Sequence, residues 1–348
     1  MKQRVTRDDV AQRAGVSSAV VSYVVNNSPR PVSAKTRTRV LQAIEELGYR
    51  TNYVARSLRL QRTHTLGIII SDSANAYFGE VVKGIEDQAL NLDFNILVGN
   101  TNNNLDRKST YIDSFISRKV DGIIFVGTTL CRRDIELLNQ FRIPALYIGS
   151  EGELEPQMHD SINAILFATE KGGYEVGRYM LGRGHHRMAC IVGKHLTHPF
   201  VEVKWFRLEG FRQALGEAGL QPQVLWQGET FQDGFLATLT LLDSDQPPTA
   251  IFACNDMVAI GALRAAADRG LIVPKDLAVC GFDDLEVASY VHPRLTTMRI
   301  PKLEIGEQAA KMLVEHIQAQ SGPQAKDNPI PANVTLRYET KLIIREST

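Results

Sequence analysis

Three short amphipathic stripes open the chain. Val10, Ala11 and Ala14 share one helical face. Ahead of them Thr6 and Asp9 have the spacing of a capping box, with Asp in place of the usual Glu or Gln, and Gly15 is a stop signal. Val20, Val21, Val24 and Val25 recur at i, i+1, i+4 and i+5, which predicts a second helix behind Ser17 rather than a strand. Valine is a poor helix former, so tertiary packing must hold this segment. Asn26, Asn27, Ser28 and Pro29 end it. Ser33 caps a third helix whose inner face is Val40, Leu41, Ile44 and Leu47, closed by Gly48. Helix, glycine turn and capped second helix have helix-turn-helix spacing. With the four valines turned inward, Ser17, Ser18, Ala19, Ser22, Tyr23 and Asn26 face out, and such small donors suit phosphates and base edges in a major groove. A plain three-helix interaction domain fits the same stripes.

From Leu66 onward the period changes. Short apolar runs ("TLGIII", "FNILVGN", "VDGIIFVG", "IPALYIG", "RMACIVG", "TAIFACN", "LAVCGFD") alternate with helical stretches, the first two expected around 78–90 and 107–117. Val/Ile/Leu runs between helices predict parallel sheet covered on both faces. The number of units exceeds one small sheet, so two similar lobes are expected. The predicted fold class is an N-terminal all-α helix-turn-helix domain joined to a two-lobed α/β core with parallel sheets. Ligands in open α/β sheets bind beyond the carboxyl ends of strands, which nominates residues 71–78, 127–129, 255–256 and 281–284.

Charge sharpens the division. Residues 1–62 hold twelve basic and four acidic residues, while the whole chain has 39 of each sign, so a head of +8 precedes a body of −8. A basic head points to a polyanion. Cys131, Cys190, Cys254 and Cys280 form no C-x-x-C pair, which argues against a zinc site or redox dithiol and fits a reducing cytosol. The start "MKQRVTRDDV" has no apolar h-region, and no apolar run reaches the roughly 18–20 residues of a membrane span. A cytoplasmic protein without membrane association is expected. "GGYEVG" at 172–177 lacks a dinucleotide fingerprint, His185-His186 is a weak metal candidate, and neither G-x-S-x-G nor H-E-x-x-H occurs. Neither an enzyme nor a cofactor is expected.

The strings "DVA-x-x-AGVS", "VS-x-V-x-N", "VS-x-x-T-R-x-x-V" and "LGY-x-x-N-x-x-A-R-S-L" together resemble the head of the LacI/GalR family of bacterial transcription regulators, and the resemblance runs to the C-terminus. It implies that Ser18, Ala19 and Tyr23 read operator bases. Thr6, Ser17, Ser22, Asn26 and Ser33 would lie on the phosphate side. Tyr23 stands where arginine is frequent, so the implied operator differs at that base pair. The turn "NNSPRPVS" is one residue longer than in some members. "ARSL" resembles the family's hinge helix, with Leu58 as a minor-groove wedge and Arg56 and Arg59 near phosphates; alone, the segment reads as a solvated linker.

The family's core is similar to periplasmic binding proteins. The implied organisation is a head at 1–50, a hinge at 51–63 and a core at 64–348. The N-lobe would take 64–166 and 296–329 and the C-lobe 167–295 and 330–348, with crossings near Leu166, Thr296 and Ile330. Implied effector contacts are Tyr77 and Phe78, Thr128, Arg207 in "FRLEGF", Asn255 and Asp256 in "ND", and Asp283 in "GFDD". Phe231 or Trp226 would cover the far side, and Phe167 replaces an aspartate common in the family. Each has a structural alternative: Tyr77–Phe78 as lobe packing, Asp256 as a helix cap. The implied protein is a homodimeric repressor on a pseudo-palindromic DNA operator, controlled by a small effector. "ND", Arg207 and Asp283 point to a sugar that releases DNA; Tyr77–Phe78 with Thr128 points instead to a purine corepressor. "KLIIREST" carries no leucine heptad, so a tetramerisation tail is not expected.

Overall fold

The computed structural model describes residues 5–25, 30–49, 62–151, 153–154, 158, 161–193, 206–320 and 333–348. The chain divides into two compact units, Met1–Thr63 and His64–Thr348.

The first unit holds α1 (Arg7–Ala14), α2 (Ser18–Val25) and α3 (Ala34–Leu47). Its small core joins Val10, Ala11, Ala14, Val21, Val24, Val40 and Ala43. Two expectations change here. Val20 is only partly buried and lies outside the core, and Leu41 is exposed, because the core residues 21, 24, 40 and 43 and the partly buried 25, 44 and 47 that pack against them follow i, i+3, i+4 spacing. An adjacent residue lies about 100° around the helix from such a stripe. Ala43 takes the place expected for Leu41.

The second unit contains two six-stranded sheets. The first is ordered β11–β5–β4–β3–β1–β2, from β1 (Thr65–Ile70), β2 (Asn95–Asn100), β3 (Gly122–Val126), β4 (Ala145–Ser150), β5 (Asn163–Phe167) and β11 (Thr335–Tyr338), all parallel. The second is ordered β12–β10–β9–β8–β6–β7. It comprises β6 (Met188–Val192), β7 (Gln223–Trp226), β8 (Ala250–Ala253), β9 (Ala278–Asp283), β10 (Thr296–Arg299) and β12 (Lys341–Ile343), parallel except for β12 against β10. Every residue of β3, β5, β6, β8 and β9 is buried, as sheets covered on both faces require.

The lobe boundaries move from those expected. Thr296–Arg299 pairs with β9 in the second sheet, and only then does α11 (Lys302–Ala319) pack onto β3, β4 and β5 of the first. Thr335–Tyr338 joins the first sheet beside β5, and Lys341–Ile343 joins the second. The chain therefore crosses at 168, close to the position expected near Leu166, and at 300–301 and 339–340 rather than near Thr296 and Ile330. The strands that decide this are three or four residues long, and only their hydrogen-bond partners assign them to a lobe.

Helices approach closely where glycines meet backbone. α4 (Ala76–Asn91) packs on α11 through Gly84 and Gly306, α7 (Thr169–Gly182) on α8 (Phe206–Glu217) through Gly173 and Gly210, and α9 (Phe231–Leu242) on α10 (Asp256–Asp268) through Gly234 and Gly261. Two glycines of "GGYEVG" thus serve the helix crossing: a Cβ on Gly173 would meet the Arg207 carbonyl oxygen at 2.0 Å and one on Gly177 the Ala214 Cβ at 2.7 Å.

Candidate functional site

Two sets of side chains stand out, one in each unit. In the head, the Thr6 hydroxyl accepts from Asp9 N at 3.3 Å and donates to Asp9 Oδ2 at 2.7 Å, and Thr6 N donates to the same oxygen at 2.7 Å. These bonds, the backbone one first, hold the Asp9 carboxyl below its ordinary value. Ser17 Oγ accepts from Val20 N at 3.4 Å at the start of α2, and the Ser18 hydroxyl donates to Asp8. Ala19 is exposed, and Ser22 and Tyr23 are partly exposed. Ser33 caps α3 by accepting from Thr36 N at 3.2 Å.

Sequence reading missed Arg30. It donates to the Tyr23 hydroxyl at 2.8 Å, with its guanidinium carbon 5.2 Å from the ring centroid. The position that lacks the frequent arginine thus has one beside it. Asn26, Arg56, Leu58 and Arg59 lie outside the described residues.

In the second unit the strand order reverses between β1 and β3 and between β6 and β8, the switch points beyond which α/β sheets bind ligands. Asn75 and Asn255 begin α4 and α10 there, accepting from Tyr77 N at 3.0 Å and Val258 N at 2.8 Å. At the centre Arg207 pairs with Asp283 Oδ1 at 3.2 Å, donates to the Cys254 carbonyl and lies 3.9 Å from the Phe282 ring centroid. Burial pushes the Asp283 carboxyl up, and Arg207 and Lys302 oppose that.

Asp283 and Asp284 both have left-handed backbone, at φ of 109° and 51°, costly for residues with a Cβ. Lys302 holds it: its buried ammonium donates to both carbonyls and pairs with Glu80 of α4 at 3.4 Å. This lysine was not among the expected site residues; its signal, a lone cation after Pro301, is weak.

Tyr77 and Phe78 are 7% and 8% exposed and meet edge to face at 5.1 Å, with Phe167 6.4 Å from Tyr77. They belong to the lobe core. The Tyr77 phenol is raised first by burial and then by Asp283, with Arg207 opposing. Thr128 is buried beside Gly127, whose φ of 56° and closeness to the Phe78 ring leave no room for a side chain.

Two of the expected contacts differ in their surroundings. Asp256 is fully buried, with Oδ2 accepting from Leu285 N at 2.7 Å and Oδ1 from the Thr297 hydroxyl at 2.5 Å. Both of its carboxylate oxygens are thus held within the protein, and the helix cap is Asn255. Phe231, on the first turn of α9, is 46% exposed, and Trp226 is also exposed. It is Glu229, two residues before Phe231, whose carboxyl is close enough to Arg207 and Asp283 to respond to both. Glu229 is exposed, and its carboxyl is raised by desolvation, with Arg207 opposing.

Residues 6–52 match the model described as bacterial regulatory proteins, lacI family, and residues 178–348 match a periplasmic binding protein-like domain. The chain is 34% identical to catabolite control protein A of Priestia megaterium over 97% of its own length and 99% of that protein's. It is 33% identical to the transcriptional repressor PurR of Pasteurella multocida over 98% of each. Its fold matches the lac repressor dimer bound to operator and the anti-inducer ONPF with a TM-score of 0.82, 28% identity and 99% coverage of both chains.

Proposed function

This chain belongs to the lacI family of bacterial regulatory proteins and is a DNA-binding transcription repressor, not an enzyme; from that premise we propose that it acts as a cytoplasmic homodimer on a pseudo-palindromic operator and is released by a small polyhydroxylated effector. Two heads would read half-sites about one helical turn apart. Homodimerisation is supported by apolar side chains left exposed on α4 and the edge strand β2, namely Leu90, Leu97 and Val98. The relatives' lac and purine names do not choose the effector.

The observation that carries the sugar reading is the Arg207–Asp283 pair on Phe282, a fixed fork of donors beside an acceptor on an apolar plate. Vicinal hydroxyls donate and accept at once and match such a pair. A purine stacked between rings would need an open aromatic face, whereas Tyr77 and Phe78 are more than nine-tenths buried.

The test is selection of genomic fragments by the full-length protein at fixed salt, with and without sugars and purines, since phosphate contacts make affinity fall steeply with salt. Palindromes released by a sugar, with Asp283→Ala still binding DNA but unresponsive, support the reading. Palindromes captured only with a purine would replace it.

A further inference from the structure

Two hydroxyls of α2 are held by charged neighbours on other segments, and in opposite senses. Arg30, in the segment leading to α3, donates from Nη1 to the Tyr23 hydroxyl at 2.8 Å, with its guanidinium carbon 5.2 Å from the ring centroid. A guanidinium has donors and no acceptor, so the Tyr23 oxygen can only accept from it and the phenol proton points elsewhere. Among the described residues none accepts that proton. Ser18, five residues earlier, is the reverse case. Its hydroxyl donates to Asp8 of α1, and a carboxylate can only accept, so the proton is committed inward and the oxygen keeps only acceptor lone pairs. Both side chains are partly exposed. Five residues of helix span about 7.5 Å, roughly two base steps, so the two hydroxyls meet different base pairs.

We propose that Arg30 and Asp8 are positioning residues that set the hydrogen-bond polarity of the reading helix: Tyr23 reads the operator as a donor and Ser18 reads it as an acceptor. The proposal rests on α2 being the helix that reads the proposed half-sites. In the major groove each base pair shows one amino donor, adenine N6 or cytosine N4, beside acceptors at guanine N7 and O6, adenine N7 and thymine O4. A hydroxyl free to rotate donates or accepts as required and so discriminates weakly between them. With its proton committed to Asp8, Ser18 matches the amino group of its pair and is left unpaired against an acceptor edge. Tyr23 matches an acceptor and is left unpaired against the amino group. Tyr23 thereby keeps the donor role of the arginine frequent at its position, with one proton in place of a fork. Arg30 orients that proton, and its charge-assisted bond to the phenol oxygen strengthens the phenol as a donor.

The test uses the full-length protein at fixed salt. Selection from randomised DNA with the parent, Ser18→Ala and Tyr23→Phe locates the base pair whose preference each side chain carries. Operators are then made with the major-groove amino group deleted at each of those pairs, 2-aminopurine replacing adenine or 2-pyrimidinone replacing cytosine. Fluorescence anisotropy should show affinity falling about fivefold on deletion at the Ser18 pair, an effect absent in Ser18→Ala and reduced in Asp8→Ala, with no such fall at the Tyr23 pair. Arg30→Met should relax base preference at the Tyr23 pair as Tyr23→Phe does, and should add nothing there in the Tyr23→Phe background; Arg30→Lys, still a donor, should keep part of it. A fall at the Tyr23 pair instead of the Ser18 pair overturns the assigned polarity. So does an Arg30→Met protein weakened equally on all sequences with its preference intact, as loss of a plain phosphate contact would leave it. Either result leaves the repressor reading standing. Preference unchanged in both Ser18→Ala and Tyr23→Phe, on palindromes still selected, overturns reading by α2 and the polarity with it. Selection of no palindrome overturns the operator reading as well.

Discussion

Gly210→Ala and Gly216→Ala make the same chemical change on the same helix and should shift stability in opposite directions. A Cβ on Gly210 would lie 1.8 Å from the Glu170 carbonyl oxygen and 2.7 Å from Tyr174 N, both backbone atoms of α7. Ordinary contact begins near 3.4 Å, so α7 and α8 must part by more than an ångström, because a backbone carbonyl cannot rotate away. Overpacking of this kind costs about 1–3 kcal/mol and sometimes more, against roughly 1 kcal/mol gained from alanine's helix propensity. With rigid backbone on one side the upper end applies, leaving a net loss of about 2 kcal/mol. In a unit of this size that lowers the main unfolding transition by about 4–8 °C. Gly216 has nothing within 4 Å of its Cβ direction, so only the propensity term acts and the transition should rise by about 1–4 °C. Differential scanning calorimetry of the three proteins reads both shifts. The crossing also carries Arg207, so Gly210→Ala should weaken effector binding whereas Gly216→Ala should not. A Gly210→Ala protein as stable as the parent would refute the close crossing, and equal shifts in both variants would refute the argument from contact.

Asp256→Ala removes two buried acceptors at once and strands Leu285 N–H and the Thr297 hydroxyl, at about 1–3 kcal/mol each. Denaturant titration should show a loss of about 2–5 kcal/mol, with effector affinity per folded molecule retained; lost affinity at unchanged stability would return Asp256 to the cleft face. In the head, Asp9 has a lowered carboxyl, so its contribution is present above the ordinary carboxylate value and lost as pH falls through the depressed one. Circular dichroism of Asp9→Asn should therefore show a head that is less stable at neutral pH and less sensitive to acid than the parent; identical acid profiles would discount the Thr6–Asp9 box.

How far sequence reading reached depended on whether a feature was local. Thr6 with Asp9 and Ser33 with Thr36 are capping arrangements within one turn, and they form as their spacing predicts. Most of the strands that make up the sheets were visible as apolar runs, because a strand buried on both faces leaves that pattern whichever lobe holds it. What spacing alone could not carry was pairing. "TTMR", "TLRY" and "KLI" are too short and too polar to announce their lobe, and the crossings expected at Thr296 and Ile330 fell on the wrong side of them. The candidate cleft divides in the same way. Arg207 and Asp283 carried a family pattern, and the two meet. Asp256 carried one equally, yet the fold turns it inward, since an N-terminal helix residue can face the sheet as readily as the loop above it. Glu229 carried no pattern at all: a glutamate in a loop reads as solvated, and the search for an aromatic cover drew attention to Phe231 two residues later. Asn255, 26 residues on, holds the Glu229 backbone carbonyl. Residues that meet at the ends of these strands are contributed by loops far apart in the chain. Their meaning therefore appears only when the strand order has brought those loops together.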